Sequence, residues 1–320
     1  MKKRTATSAY LGWLATAMTT DGEVAPVPAA AHDDLILGYA SGYDAADLAP
    51  FVRSMRSVYQ GGAALVVDDR PDVAALLADH DVEAISPECA VGWSPHPVMA
   101  RFAAFDRLLA ERPAVRNVLI TDVRDVVFQA PPFDPAPTRL ELFVEGEDGR
   151  LADHAFNMKH LRALVGDELA EAVGQGPCLC VGTVIGPREA VMRFCRTLLL
   201  LAAIPRSQVG GAFGADQAAC NLAVHLGLVE GDIRPNYGRV ATLGLTPSVA
   251  LSVRDGRILN PDGGVSAIVH QHDRHPHLLH AAHARWGQGV ELRDRVRPRT
   301  SADRRKRLKA SLLRRLPEMR

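Results

Sequence analysis

The sequence predicts an α/β protein, with a mostly parallel sheet flanked by helices, and three observations carry that expectation. Short aliphatic runs alternate with helix-periodic segments through the first half of the chain, the pattern of strand-helix units laid into one sheet. The run Val118-Leu119-Ile120 is aliphatic throughout and ends at Asp122 and Asp125, as expected of a buried parallel strand that delivers charge to the carboxyl edge of a sheet. With 320 residues, 47% of them hydrophobic, the chain has material for one large core, so disorder is not the default.

The units follow in order. Leu35-Ile36-Leu37-Gly38 reads as a first strand, Tyr39 to Tyr43 as a turn, and Asp47 to Tyr59 as a helix with Leu48, Phe51, Val52 and Met55 on its apolar face. Ala63 to Val67 reads as a strand ending in Asp68-Asp69, and Pro71 opens a helix through Ala78. Val82 to Ile85 is a third short strand, and a helix from about Val98 to Ala110 leads into the Asp122 strand. Beyond it, Leu140 to Val144 looks like another strand, Arg188 to Ile204 and Gly214 to Leu226 like helices. Short strand-like pieces separated by Gly and Pro then end in Ala267-Ile-Val-His270.

Charge is zero overall but unevenly placed. The segment from Glu291 to Arg320 carries about +8, which leaves the body acidic. Arg304 to Arg307, Lys309, Arg314 and Arg315, with Leu308, Leu312, Leu313 and Leu316, form a basic amphipathic pattern suited to peripheral contact with an anionic membrane surface. No aromatic residue interleaves it, so a specific nucleic-acid partner is not expected. Cys89, Cys178, Cys180, Cys195 and Cys220 are odd in number and contain no CxxC pair, which favours free thiols and a cytoplasmic setting. The Met1-Lys-Lys-Arg4 start and the apolar stretch to Met18 copy a signal peptide poorly, because Ser8, Gly12 and Thr16 dilute the apolar part. Residues 1–33 are read as an extension with a Pro/Ala linker, 34–285 as the domain and 286–320 as a basic tail.

Several residues carry chemistry. Asp122 and Asp125 offer hard oxygen donors on a tight turn, which suits Mg²⁺ or Mn²⁺. His270 directly follows an apolar strand and can complete the shell of a metal held by carboxylates, while the neighbouring Arg274 can neutralise phosphate. The histidines His272, His275, His277, His280 and His283 crowd the same segment, but their spacing fits no usual structural zinc pattern. Neither GxGxxG nor a Walker-type loop is present, so phosphate must be held differently. The small residues around Gly182 would let backbone approach a ligand closely, and Arg101 could bind diphosphate. Asp216-Gln217 stands where a helix begins, as a cap or as a carboxylate facing a sugar or acceptor hydroxyl.

Five segments occur in order: Arg101-Phe102; Thr121-Asp-Val-Arg-Asp-Val-Val-Phe-Gln129 on to Phe133; Cys180-Val-Gly-Thr183; Asp216-Gln217 with Asn221; and His270-Gln-His-Asp-Arg-His-Pro276. Together they resemble the nucleotide-diphospho-sugar glycosyltransferases of the GT-A fold over about Asp34 to His283. The resemblance implies a single Rossmann-like catalytic domain with Mn²⁺ or Mg²⁺ as cofactor and a UDP- or GDP-sugar as donor, with the acceptor undefined. It implies Asp122, Asp125 and His270 as metal ligands, and Tyr39, Ala40 and Ser41 beside the nucleotide base and ribose. It further implies Arg101, Arg124, Gly182 and Arg274 around the donor, with Asp216 and Gln217 as catalytic residues. Here two residues, not one, separate the aspartates, so that either both bind metal or Asp125 does so while Asp122 meets ribose or Arg124. Two alternatives stand beside it: a metal-dependent phosphoester hydrolase using the same aspartates and histidines, and a non-catalytic binding protein acting through its basic tail on an inactive α/β domain.

Overall fold

A computed structural model of the protein describes residues 33–87, 95–146, 149–203 and 213–292. The N-terminal extension, Cys89 and the basic segment from 293 onward lie outside the described residues. The first half follows the expected alternation: β1 Asp33–Tyr39, α1 Ala45–Val58, β2 Gly62–Val66, α2 Pro71–Asp79, β3 Glu83–Ile85, α3 Pro97–Ala110 and β4 Val115–Thr121. Asp44 starts α1 by accepting from the Ala46 and Asp47 amides at 3.1 and 3.2 Å, the side-chain cap that an unpaired first turn needs.

The rest of the domain comprises β5 Val126–Phe128, β6 Glu141–Val144, α4 Ala155–Val165, α5 Asp167–Val173, β7 Leu179–Pro187, α6 Arg188–Ala202, α7 Ala215–His225, β8 Asp232–Arg234 and β9 Val240–Thr242. It closes with the hairpin β10 Ser252–Arg254 and β11 Arg257–Leu259, then β12 Ile268–His270 and α8 Pro276–Trp286.

Seven strands form the main sheet in the order β3-β2-β1-β4-β7-β6-β8, with every pairing parallel except those of β7. The expectation of a mostly parallel α/β sheet flanked by helices therefore holds. Successive side chains of a strand face opposite ways, and the core divides accordingly. Leu35, Leu37, Val118 and Ile120 pack with α3, α4, α5, α6 and α7, whereas Ile36 and Leu119 pack with α1 and α2. Because both faces are covered, the central runs of β1 and β4 are aliphatic and do not alternate with polar residues.

A second sheet, β5-β12-β9, sits beside the carboxyl edge of the first. Val127, Leu243 and Val269 join it to Leu278 and Trp286 of α8 in a third core cluster. The folded chain runs past the boundary expected at 285, since Trp286 is buried and Arg53 donates from Nη1 to the Trp286 and Gln288 carbonyls at 3.0 and 2.5 Å. No helix among the described residues is long and apolar enough to cross a membrane.

Candidate functional site

In the main sheet the chain after β1 turns to β2 on one side, while β4 lies on the other, so the loops leaving β1 and β4 diverge. Open α/β sheets take ligands in the crevice that such a divergence opens. A cavity of about 830 Å³ lies there, lined by Tyr39 and Ser41 from the first loop and by Asp122, Arg124 and Asp125 from the second. Its size falls within the range of roughly 300–1,000 Å³ usual for small-molecule sites.

Strand register brings the carboxylates and the imidazole together. Thr121 pairs with Thr183 across β4 and β7, so Asp122 falls opposite Gly182, whose carbonyl accepts from the Asp122 amide at 2.7 Å. His270 pairs with Val126 across β12 and β5, which sets its side chain beside Asp125. The His270 Nε2 atom lies 3.4 Å from Asp122 Oδ2 and 3.8 Å from Asp125 Oδ2. It is buried, aims between the two carboxylates and makes no hydrogen bond among the described residues. A Cβ at position 182 would overlap His270 and Asp122, so only glycine leaves this space open.

An orphaned buried imidazole nitrogen, two converging carboxylate oxygens and a glycine cradle are what a divalent cation with hard oxygen and nitrogen ligands requires. Asp122, Asp125 and His270 hold one ligand atom each within 4.8 Å of one another. The other histidines of the segment are committed elsewhere. His272 meets the Asp125 carbonyl, His275 the Leu243 carbonyl, His277 that of Leu251, His280 that of Pro276 and His283 that of Val290.

Arg101 ties the site to α7. Its Nη1 pairs with Asp122 and its Nη2 with Asp216 Oδ2 at 2.7 Å, which leaves only Nε unpartnered for any ligand. Asp216 is buried in the first turn of α7, whose N-cap is Gly214, so it braces Arg101 and does not cap the helix. Arg124 lies 3.0 Å from Asp273. Arg274 is exposed on the cavity wall and pairs with no carboxylate among the described residues. Ser41 donates to Asp68 at 2.8 Å, which fixes the loop after β1, while Ala40 is buried beneath that loop and does not line the cavity.

The charges shape one another. Burial pushes the Asp122 carboxyl up, but Arg101 and His270 outweigh it and hold the group below the usual carboxylate range. Asp125 is raised by burial, against the pull of His270, and Asp216 is raised by burial against Arg101. Burial disfavours the charged form of His270, yet Cys180, Asp125 and Asp122 together carry it well above the ordinary imidazole value. Without a cation, a proton is what neutralises this corner.

One further carboxylate lines the cavity without a sequence motif to announce it. Glu145 follows β6, which runs in the same direction as β4, so it reaches the same sheet edge as Asp122. It is buried on the cavity wall and accepts from Gln217 Nε2 at 2.5 Å, from Gln271 Nε2 at 3.4 Å and from Cys178 at 3.8 Å. No cation among the described residues pairs with it. The signal was legible, since the strand Leu140 to Val144 ends in a carboxylate just as the Asp122 strand does. Glu145, His154 and Cys178 also hold ligand-type atoms within 4.8 Å of one another. Burial pushes the Cys178 thiol up, however, and it accepts from Asn157 Nδ2 at 3.1 Å, so it stands there as a neutral hydrogen-bonding group. No known protein family matches the chain, and no curated protein matches its sequence.

Proposed function

We propose that the protein is a metal-dependent glycosyltransferase of the GT-A type, moving a sugar from a UDP- or GDP-sugar to a hydroxyl acceptor. The observation that carries this reading is the meeting of Asp122, Asp125 and the unpartnered Nε2 of His270 where the loops after β1 and β4 diverge. Mn²⁺ or Mg²⁺ would be held by these three residues, and there it would neutralise the departing nucleoside diphosphate as a Lewis acid.

The chain's own residues supply the rest. Arg274, free of any described carboxylate, is available to diphosphate oxygens, and the Ser41 loop is set to receive the nucleoside. Arg101 and Asp216 hold Asp122 in place. Gln217 binds the sugar hydroxyls, and Glu145 receives the acceptor's proton, because it faces the cavity with no described cation on it, whereas Asp216 is held by Arg101. In the transfer the acceptor oxygen bonds to the anomeric carbon. The bond from that carbon to the diphosphate oxygen breaks, and its electron pair leaves on the nucleoside diphosphate.

Calorimetry of UDP and GDP with and without Mn²⁺ tests the reading. Binding is expected only with the cation and is expected to be lost in Asp125→Ala. Equal binding in EDTA would overturn it, and Mn²⁺-dependent hydrolysis of p-nitrophenyl phosphate esters without preference for sugar nucleotides would overturn it in favour of a metal-dependent phosphoester hydrolase.

A further inference from the structure

The chain has nine phenylalanines. Seven of them, Phe133 being the least buried at 9%, are packed in the core. The other two, Phe156 at 52% exposure and Phe213 at 66%, meet on the rim of the cavity with ring centroids 6.2 Å apart and planes 53° to one another. Exposed aromatic area of that extent in an otherwise well-buried set marks a contact surface.

The pair is built into the fold. Gly214 adopts φ +94, and the space its missing side chain leaves is filled by the Phe156 ring and by His160. His160 packs edge-on against Phe156 with centroids 4.7 Å apart, and His96 flanks Phe213 at 6.1 Å. Phe156 lies in the first turn of α4 beside Asn157, which reaches Cys178 and through it Glu145. Phe213 leads into α7, whose Gln217 donates to the same Glu145. The two rings therefore stand on segments whose neighbouring side chains lead to Glu145, and all three residues line the same cavity.

We propose that Phe156 and Phe213 form the acceptor subsite of this cavity and that the acceptor is a carbohydrate, stacked by the C–H face of a pyranose ring with a hydroxyl turned toward Glu145. The proposal rests on the transferase reading above. Polarised C–H groups suit the negative face of an aromatic ring, and the hydroxyl rim of a sugar suits the Glu145 and Gln217 side chains beside it. The donor's diphosphate belongs at the other end. Glu145 repels phosphate, whereas Arg274 and a cation held by Asp122, Asp125 and His270 attract it. An alkyl chain would need a continuous apolar trough, but here histidines and Asn157 interrupt the aromatic surface.

Saturation-transfer NMR with a panel of methyl hexopyranosides, in the presence of Mn²⁺ and UDP or GDP, tests this, with n-octanol as the contrasting probe. Saturable contact at the ring C–H protons of at least one glycoside is expected. Phe156→Ala and Phe213→Ala should each weaken it about tenfold or more. Both variants should keep Mn²⁺-dependent nucleotide binding, which certifies their fold and separates the two readings. Loss of nucleotide binding by the wild type with glycoside binding intact would sink the transferase and leave the platform. Absence of glycoside binding, undiminished binding in both alanine variants, or saturable binding of octanol in place of glycosides would overturn the subsite.

Discussion

Gly182 sets a tight tolerance in the site, because a side chain there would run into both the His270 ring and the Asp122 carboxylate. Gly182→Ala is expected to fold but to lose Mn²⁺ affinity about tenfold or more, as read by electron paramagnetic resonance titration; affinity equal to wild type would show that the imidazole can move aside at no cost. Arg101 bridges two carboxylates from a buried position, and removing one partner of a buried pair costs about 3–5 kcal/mol. Arg101→Met should therefore lower urea stability by roughly that amount. A third expectation concerns pH. His270 is raised above its unfolded value, so its pairing with Asp122 and Asp125 stabilises the metal-free protein fully below the ordinary imidazole pKa and is lost as pH rises through the raised one. Mn²⁺ must displace that proton. Its affinity should rise across the same window with proton release, detectable by calorimetry in buffers of different ionisation enthalpy.

At the scale of elements, the sequence disclosed some strands and hid others for one physical reason. β1, β2 and β4 are buried on both faces and read as aliphatic runs, whereas β7 begins with Leu179-Cys-Val-Gly182, where cysteine and glycine interrupt the run and Gly182 admits the close approach of Asp122 and the imidazole. In sequence this segment signals only backbone free to approach a ligand, yet β7 is the antiparallel member that places Gly182 against Asp122. Helices α4 and α5 went unread as well, broken as they are by Gly166 and faced with charge. Strand position singled out His270, but the fate of the other histidines depended on carbonyls from distant segments. His277→Ala and His280→Ala should leave Mn²⁺ binding unchanged while His270→Ala abolishes it. Between elements, the buried Ser54 hydroxyl accepts from the Phe128 amide at 3.1 Å and donates to the Phe51 carbonyl, joining α1 to β5. Ser54→Ala leaves that amide unsatisfied and should cost about 1–3 kcal/mol, measured by thermal unfolding.

For the whole molecule, every residue assigned a role lies before Leu292, and the basic segment follows it. A chain ending at Leu292 is expected to keep nucleotide binding and to lose co-sedimentation with anionic vesicles at low salt, whereas one ending at Arg285 would lose the Trp286 anchor as well. Loss of donor binding from the first, with the domain still folded, would bring the tail into the active site. The two sheets have one further relation. Asp122 follows a strand of the large sheet, while Asp125 precedes and His270 ends strands of the small one, so the three candidate ligands straddle the seam between them. A cation seated there acts as a fastener: any opening of the seam must first release it. Slow amide exchange should then spread on Mn²⁺ addition from the site to β9 and β5 together, reinforcing a seam that Leu119, Phe128 and Ile268 already close with a shared core.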